Sequence, residues 1–455
     1  MAIFSRDEKI KQEIEAVSST DTEAKEVITT EEAYNRSVSF RKKLYALGLA
    51  TLLIFELGVA GGFSYEIYKD NLYGRVLREY EIRHTGGIRL TTGTYTGETD
   101  FGYFFGTGTF EFDAGGAYKG SWNNNLLSGH GELRVPSEGS YDGEFIASQK
   151  SGNGIFTWDD GSVYDGGWKN DMMSGQGMYT GSDGVIYSGT FYENAFYEGK
   201  CTFTNETGSY VLSYKGGAVD NAVIEFSDGT RYIGGADENS LNGSGKMTFA
   251  NDDVYNGSFV NGIRNGTGIY TWASGDKYDG AWENDMLSGT GTYTFTDGSV
   301  LQGTFSNNKF SDGSYHVVND FGDYTFTIEA GKPVAVDMKL ASGTEYIGDL
   351  DDDGLNGHAQ IKYDNGDRYD GKVSDGMKSG QGTYSWVSGA SYDGPWADDQ
   401  MSGRGTYTYP ASEEGYKLVG NFVAGLPDGE CEYYTSAYTH YKTTWTNGKC
   451  TKVTE

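Results

Sequence analysis

From residue 93 onward the chain alternates large apolar side chains with small or polar ones over short runs, and each run stops at a turn-forming pair. The stretch Tyr278 to Val300 shows the pattern. In Tyr278-Asp-Gly280-Ala-Trp282 the alternation places Tyr, Gly and Trp on one face of a strand and Asp279 and Ala281 on the other. Glu283 to Gly289 reads as a loop. Gly289-Thr-Gly291-Thr-Tyr293-Thr-Phe295 then alternates again, and Asp297-Gly298 suits the positive φ of a tight turn. Such pairs recur at Asp160, Asp183, Asp228 and Asn365. Two short strands and two turns per unit are therefore predicted. Gly280 and Gly291 weaken an isolated strand but leave flat patches on which aromatic rings can lie.

The pattern repeats. The tyrosine that precedes x-Gly falls at Tyr95, Tyr118, Tyr141, Tyr164, Tyr187 and Tyr210, every 23 residues. It continues through Tyr232, Tyr255, Tyr278, Leu301 (a substitution), Tyr324, Tyr346, Tyr369 and Tyr392, then reaches Tyr416 after an insertion and degenerates near Tyr438 and Tyr441. A longer period lies above this one: Tyr118, Tyr232 and Tyr346 are 114 apart, as are Trp158, Trp272 and Trp386. About sixteen units of this kind, in three blocks of five plus a leading unit, account for the 69 Gly and 36 Tyr. Such a bias in composition belongs to repeat architectures rather than to several globular domains.

Tyr-x-Gly-x-[Trp/Phe] followed by Gly-x-Gly with a period of 23 resembles the MORN (membrane occupation and recognition nexus) repeat family, over residues 93 to 445. The resemblance implies an all-β fold, an elongated solenoid of antiparallel β-hairpins with a groove, serving as a scaffold, a dimerisation surface or a peptide-binding surface. Two strands per unit at about 4.8 Å each would advance roughly 10 Å, so sixteen units would reach on the order of 150 Å. The chain departs from the pattern in the units at Tyr210, Tyr324 and Tyr346, and at Cys201 and Cys431, which read as Gly-x-Cys in place of Gly-x-Gly and as equivalent positions. Small buried side chains at a glycine site are the plain reading of both cysteines. A Cys431–Cys450 bridge is the alternative, since Cys201 and Cys431 stand ten units apart.

The N-terminal part differs. Residues 1–43 form a polar tail, and 44–63 run from Leu44 to Phe63 with Glu56 as the single ionisable residue. Twenty apolar residues are enough for one transmembrane α-helix, and the long polar segment before it argues against a cleaved signal peptide. Arg41-Lys42-Lys43 at the start of the span favours a cytoplasmic N-terminus and extracytoplasmic repeats in a single-pass membrane protein. Glu56 either pairs with a partner helix or sits neutral near the interface. Gly58-x-x-x-Gly62 permits close helix contact and with it a homodimer. Residues 64–92, with Leu72, Val76, Leu77 and Tyr80 at helical spacing, read as a juxtamembrane stalk or cap.

Charge then narrows the partners. The chain carries 35 basic and 65 acidic side chains, a net of −30, nearly all of it beyond the tail. Nucleic acid is excluded, because phosphate neutralisation needs Lys and Arg. A basic protein, a basic envelope polymer or divalent cations remain, beside a solvated acidic face with no ligand. Asp349-Leu-Asp351-Asp-Asp353-Gly354 has the start of a calcium loop, so Asp349, Asp351 and Asp353 are candidate metal ligands. Gln360 at its twelfth position lacks the bidentate carboxylate. No phosphate-binding loop, nucleophile elbow or zinc motif is present, which predicts no enzyme, no catalytic residue and no cofactor beyond that calcium candidate. Two functional readings follow: a membrane-anchored scaffold whose groove binds a protein partner, with Trp158, Trp272 and Trp386 as candidate contacts or else as core; and a structural spacer or binder of an envelope polymer.

Overall fold

A computed structural model describes residues 88–454 apart from 91, 101–102 and 412–415. The tail, the expected transmembrane segment with Glu56, Gly58 and Gly62, and the expected stalk up to residue 87 lie outside the described residues. Every described element is a β-strand, and within each of two units the strands pair antiparallel with near neighbours in sequence. The described residues fall into two compact units that divide between Ala273 and Ser274. The first runs from the strand Ile88–Leu90 to the strand Ile263–Thr271, and the second from Lys277–Glu283 to Lys449–Thr454.

The hairpin of Lys277–Glu283 and Met286–Thr294 shows how the sequence builds a repeat. Tyr278 stands opposite Tyr293, Gly280 opposite Gly291 and Trp282 opposite Leu287, with a bulge between Gly280 and Trp282. The bulge leaves Ala281 out of the ladder, and its carbonyl accepts a hydrogen bond from Tyr278 Oη at 3.0 Å. The Tyr278 ring is thereby pulled flat over the glycine pair: a Cβ added at Gly291 would lie 2.4 Å from that hydroxyl. Both glycines are thus spaces for the ring of their own hairpin. Tyr118 Oη to Ser121 O, Tyr232 Oη to Gly235 O and Tyr369 Oη to Lys372 O repeat the bond at 2.7–2.9 Å. The next tryptophan ties repeats together, as in Trp168 Nε1 to Gly154 O at 2.9 Å and Trp396 Nε1 to Gly382 O at 3.0 Å.

The expected loop from Glu283 to Gly289 is instead a two-residue turn. Asn284 and Asp285 both take positive φ, 52° and 67°, and Met286 to Ser288 already belong to the returning strand. Such a turn twists with the strands it joins. The second turn is the expected one, with Gly298 at φ 89° and Phe295 N–H bonded to Ser299 O at 2.9 Å.

Register corrects two further expectations. Cys201 and Cys431 are not equivalent: Cys201 stands opposite Tyr187, where Tyr293 stands opposite Tyr278, whereas Cys431 stands opposite Gly420, in the place of Gly291. The marker of that last repeat is Leu418, not Tyr416. In the Tyr187 hairpin the bulge has moved on to Thr190/Phe191, so the hydroxyl loses its carbonyl and lies against Cys201 and Tyr214. The same displaced bulge occurs 114 residues on, at Thr304/Phe305, where Leu301 faces Tyr315. The large ring has changed strands between the two copies. Cys431 and Cys450 are both free thiols, the first opposite Thr443 and the second opposite Trp445, so the bridge is not formed.

Candidate interaction surface

The face that carries the marker tyrosines also carries, 15 and 17 residues after Tyr141, Tyr255, Tyr369 and Tyr392, a second set of rings, of which Phe156 and Tyr270 are buried and the rest half-buried. Residues two apart on a strand share a face, so these rings tilt against each other. Trp158 packs on Phe156, Trp272 on Tyr270 and Trp386 on Tyr384, each with centroids 4.7 Å apart at 52–54°. Trp158, Trp272 and Trp386 are half-buried, so one side of each ring belongs to the core and the other meets solvent. In the second unit the contacts run on from ring to ring: Tyr363–Tyr384 5.6 Å, Trp386–Tyr407 5.5 Å, Tyr407–Tyr409 5.0 Å and Tyr409–Tyr433 6.0 Å. In the first unit Trp158 continues to Tyr179 at 5.5 Å.

The stripe is held from beneath. Tyr384 Oη donates to Asp367 Oδ2 at 2.8 Å while Val387 N–H donates to Asp367 Oδ1 at 2.8 Å. Tyr270 Oη and Ala273 N–H use Asp253 in the same way, at 2.7 and 2.8 Å. Both carboxylates are nearly closed off from solvent, at 3% and 5% exposure for Asp253 and Asp367. Burial opposes ionisation of Asp367, but the donors from Val387, Tyr384 and Asn365 outweigh it and hold the carboxyl below the usual carboxylate range. Beside Trp158 and Tyr179 the turn residues Asp159, Asp160 and Asp183 are exposed.

Sequence reading found the three tryptophans but not Tyr179, Tyr407 or Tyr409, nor Asp253 and Asp367 two residues before their markers; offsets that recur after several marker tyrosines were the signal. Asp349, Asp351 and Asp353 are not gathered at one point. Asp349 accepts the N–H of His358 at 2.8 Å, and Asp351 accepts the N–H of Asp353 at 2.9 Å and the Asn356 amide at 2.8 Å. Among the described residues no three His, Cys, Asp or Glu side chains stand together as a metal site.

The MORN repeat model matches residues 118–137, 141–163, 164–186, 238–254, 255–277, 278–300, 369–391, 392–412 and 419–436. This chain carries MORN repeats. The stretches that the MORN model skips, 187–237 and 301–368, contain the hairpins with displaced bulges and the degenerate units at Tyr210, Tyr324 and Tyr346. Comparison with curated proteins returns no match. Among solved structures, the TCP10 domain of Danio rerio CPAP in complex with a peptide of Danio rerio STIL is 15% identical, with 56% of this chain and 99% of that chain covered at a TM-score of 0.27. The SAS-4 (dCPAP) TCP domain of Drosophila melanogaster, in complex with a proline-rich motif of Ana2 (dSTIL), is 11% identical, with 39% and 85% covered at a TM-score of 0.17. These likenesses are too slight to bear on function.

Proposed function

We propose that this chain is a non-enzymatic scaffold that binds an extended, positively charged protein segment along the aromatic stripe of its MORN repeats. The observation that carries the reading is the unbroken series of half-buried rings from Tyr363 to Tyr433, which offers amphipathic contact area already fixed in place by the core. Aromatic side chains at a rigid surface lose little entropy on binding and accept cations over their faces. The exposed carboxylates beside Trp158 and Tyr179, and the net charge of −30, support a basic partner. The apolar segment 44–63 supports a single-pass anchor, with a cytoplasmic N-terminus and extracytoplasmic repeats.

The test uses the full-length chain in detergent as bait for a native extract, beside a variant with Trp386→Ala, Tyr407→Ala and Tyr409→Ala. A protein retained by the first and lost by the second, at equal urea midpoints, supports the scaffold. Equal retention by both baits, or retention of an envelope polymer alone, would move the reading to a spacer or polymer binder.

A further inference from the structure

Nine residues after each marker, a side chain points into the aromatic layer: Leu127, Met173, Phe196, Leu241 and Leu287 are all buried there. Three repeats break the rule with a cation, at Lys150, Arg264 and Lys378, which are 114 residues apart. Each is enclosed by rings. Lys150 Nζ lies 4.1 Å from the Trp168 centroid and 4.7 Å from that of Phe156; Arg264 Cζ lies 5.2 Å from that of Tyr270; Lys378 Nζ lies 5.4 Å from that of Trp396.

The residue 21 further on lies in the next repeat's two-residue turn and reaches back. In four uncharged repeats it is Asn or Ser, whereas Gly217 and Gly262 follow Phe196 and Leu241: Phe104 N–H donates to Asn125 Oδ1 at 2.7 Å, Leu127 N–H to Ser148 Oγ at 3.0 Å, Met173 N–H to Asn194 Oδ1 at 2.7 Å and Leu287 N–H to Asn308 Oδ1 at 2.7 Å. In the charged repeats it is Asp. Lys150 N–H donates to Asp171 Oδ1 at 2.8 Å, and Lys378 N–H to Asp399 Oδ1 at 2.9 Å. Asp399 also takes the ammonium of Lys378 at 2.9 Å. Arg264 is followed 21 residues on by Asp285. Asn and Asp serve the backbone N–H equally well. Only Asp answers a cation, so the acid follows the charge and not the backbone.

We propose that the pairs Lys150–Asp171 and Lys378–Asp399, one within each unit, are registry labels, which fix the repeat against which the repeats that hold them pack. Nearly identical hairpins can slip by one unit with little change in apolar contact. A slip of 23 residues that skips the repeat of Asp171 would bring Lys150 to Asn194, and one that skips the repeat of Lys150 would leave Asp171 beside Leu127; either leaves an enclosed charge without its partner, which is strongly unfavourable. Well-packed apolar residues in place of a buried pair cost little stability, which separates registration from simple stabilisation.

The test is a full-length variant carrying Lys150→Met, Asp171→Asn, Lys378→Met and Asp399→Asn, each the residue found in a sister repeat. It is unfolded in urea, refolded and followed by hydrogen-exchange mass spectrometry. Refolded wild type should give one isotopic envelope per hairpin peptide. The variant should give two, with a less protected population in hairpins around residues 150–194, although its urea midpoint is no lower. A single envelope matching wild type overturns the proposal. Should the fourfold variant fail to fold, Lys378→Met with Asp399→Asn is read the same way around residues 378–401, and failure of that pair to fold also overturns it, since the charges would then be needed for stability itself.

Discussion

A tyrosine ring lying on two glycines explains why both residue types recur together. The ring needs the glycines for space, and its hydroxyl needs the bulge carbonyl for a partner. Tyr278→Phe should therefore cost about 1 kcal/mol, the worth of one hydrogen bond, and Gly291→Ala about 1–3 kcal/mol through overpacking, both read from urea unfolding. The last repeat supplies its own compensation, because Leu418 replaces the ring and the Cys431 side chain fills the space over Gly420. Tyr278→Leu with Gly291→Cys should thus be more stable than the sum of the two single changes predicts; strict additivity would refute the space argument. At the second ring layer, the depressed pKa of Asp367 makes its contribution full above the ordinary carboxylate value of about 4 and lost as pH falls through the folded value. Wild type should exceed Asp367→Asn in stability at pH 7, and the gap should close on acidification. A gap that stays constant down to pH 2.5 would rule out Asp367 as the source.

At the scale of the hairpin, the side chain that crosses between repeats is set by a turn with two positive φ angles. Asn308, at φ 67°, both tolerates that conformation and accepts the Leu287 N–H at 2.7 Å. Asn308→Gly should keep the turn and lose the bond, for about 1 kcal/mol. Asn308→Ala loses the bond and adds roughly 1–2 kcal/mol of left-handed strain. Faster exchange of the Leu287 amide in both variants, with the larger drop in stability only in the alanine one, would bear this out. Strands, the Asp-Gly turns and the marker tyrosines were legible in the sequence because a period of two and a spacing of 23 both survive counting. The Asn-Asp turn was not, since its residues resemble any polar loop until their φ angles are known. Nor was the displaced bulge at Thr190, because a one-residue slip between paired strands leaves every spacing along one strand unchanged, and so Cys201 and Cys431 looked alike. The tryptophans fell between the two readings offered for them, half core and half surface.

For the chain as a whole, the 114-residue period predicts which deletions are tolerated. Removing residues 164–277 joins Val163 to Tyr278, which occupies the same place in its block as Tyr164. Each repeat contacts mainly its neighbours, so the shortened chain should keep its circular dichroism per residue, whereas a deletion of 100 residues should not. Loss of folding in the in-phase deletion would show that the blocks are not interchangeable. The pairing of strands with near neighbours in sequence within each unit also bears on how the chain is made. A ribosome adds about 5–20 residues per second, so a 23-residue unit takes a second or more, while a hairpin closes within about 10 μs. Each repeat can therefore be complete before the following one leaves the exit tunnel, and long aromatic stretches need never wait unfolded for a distant partner strand.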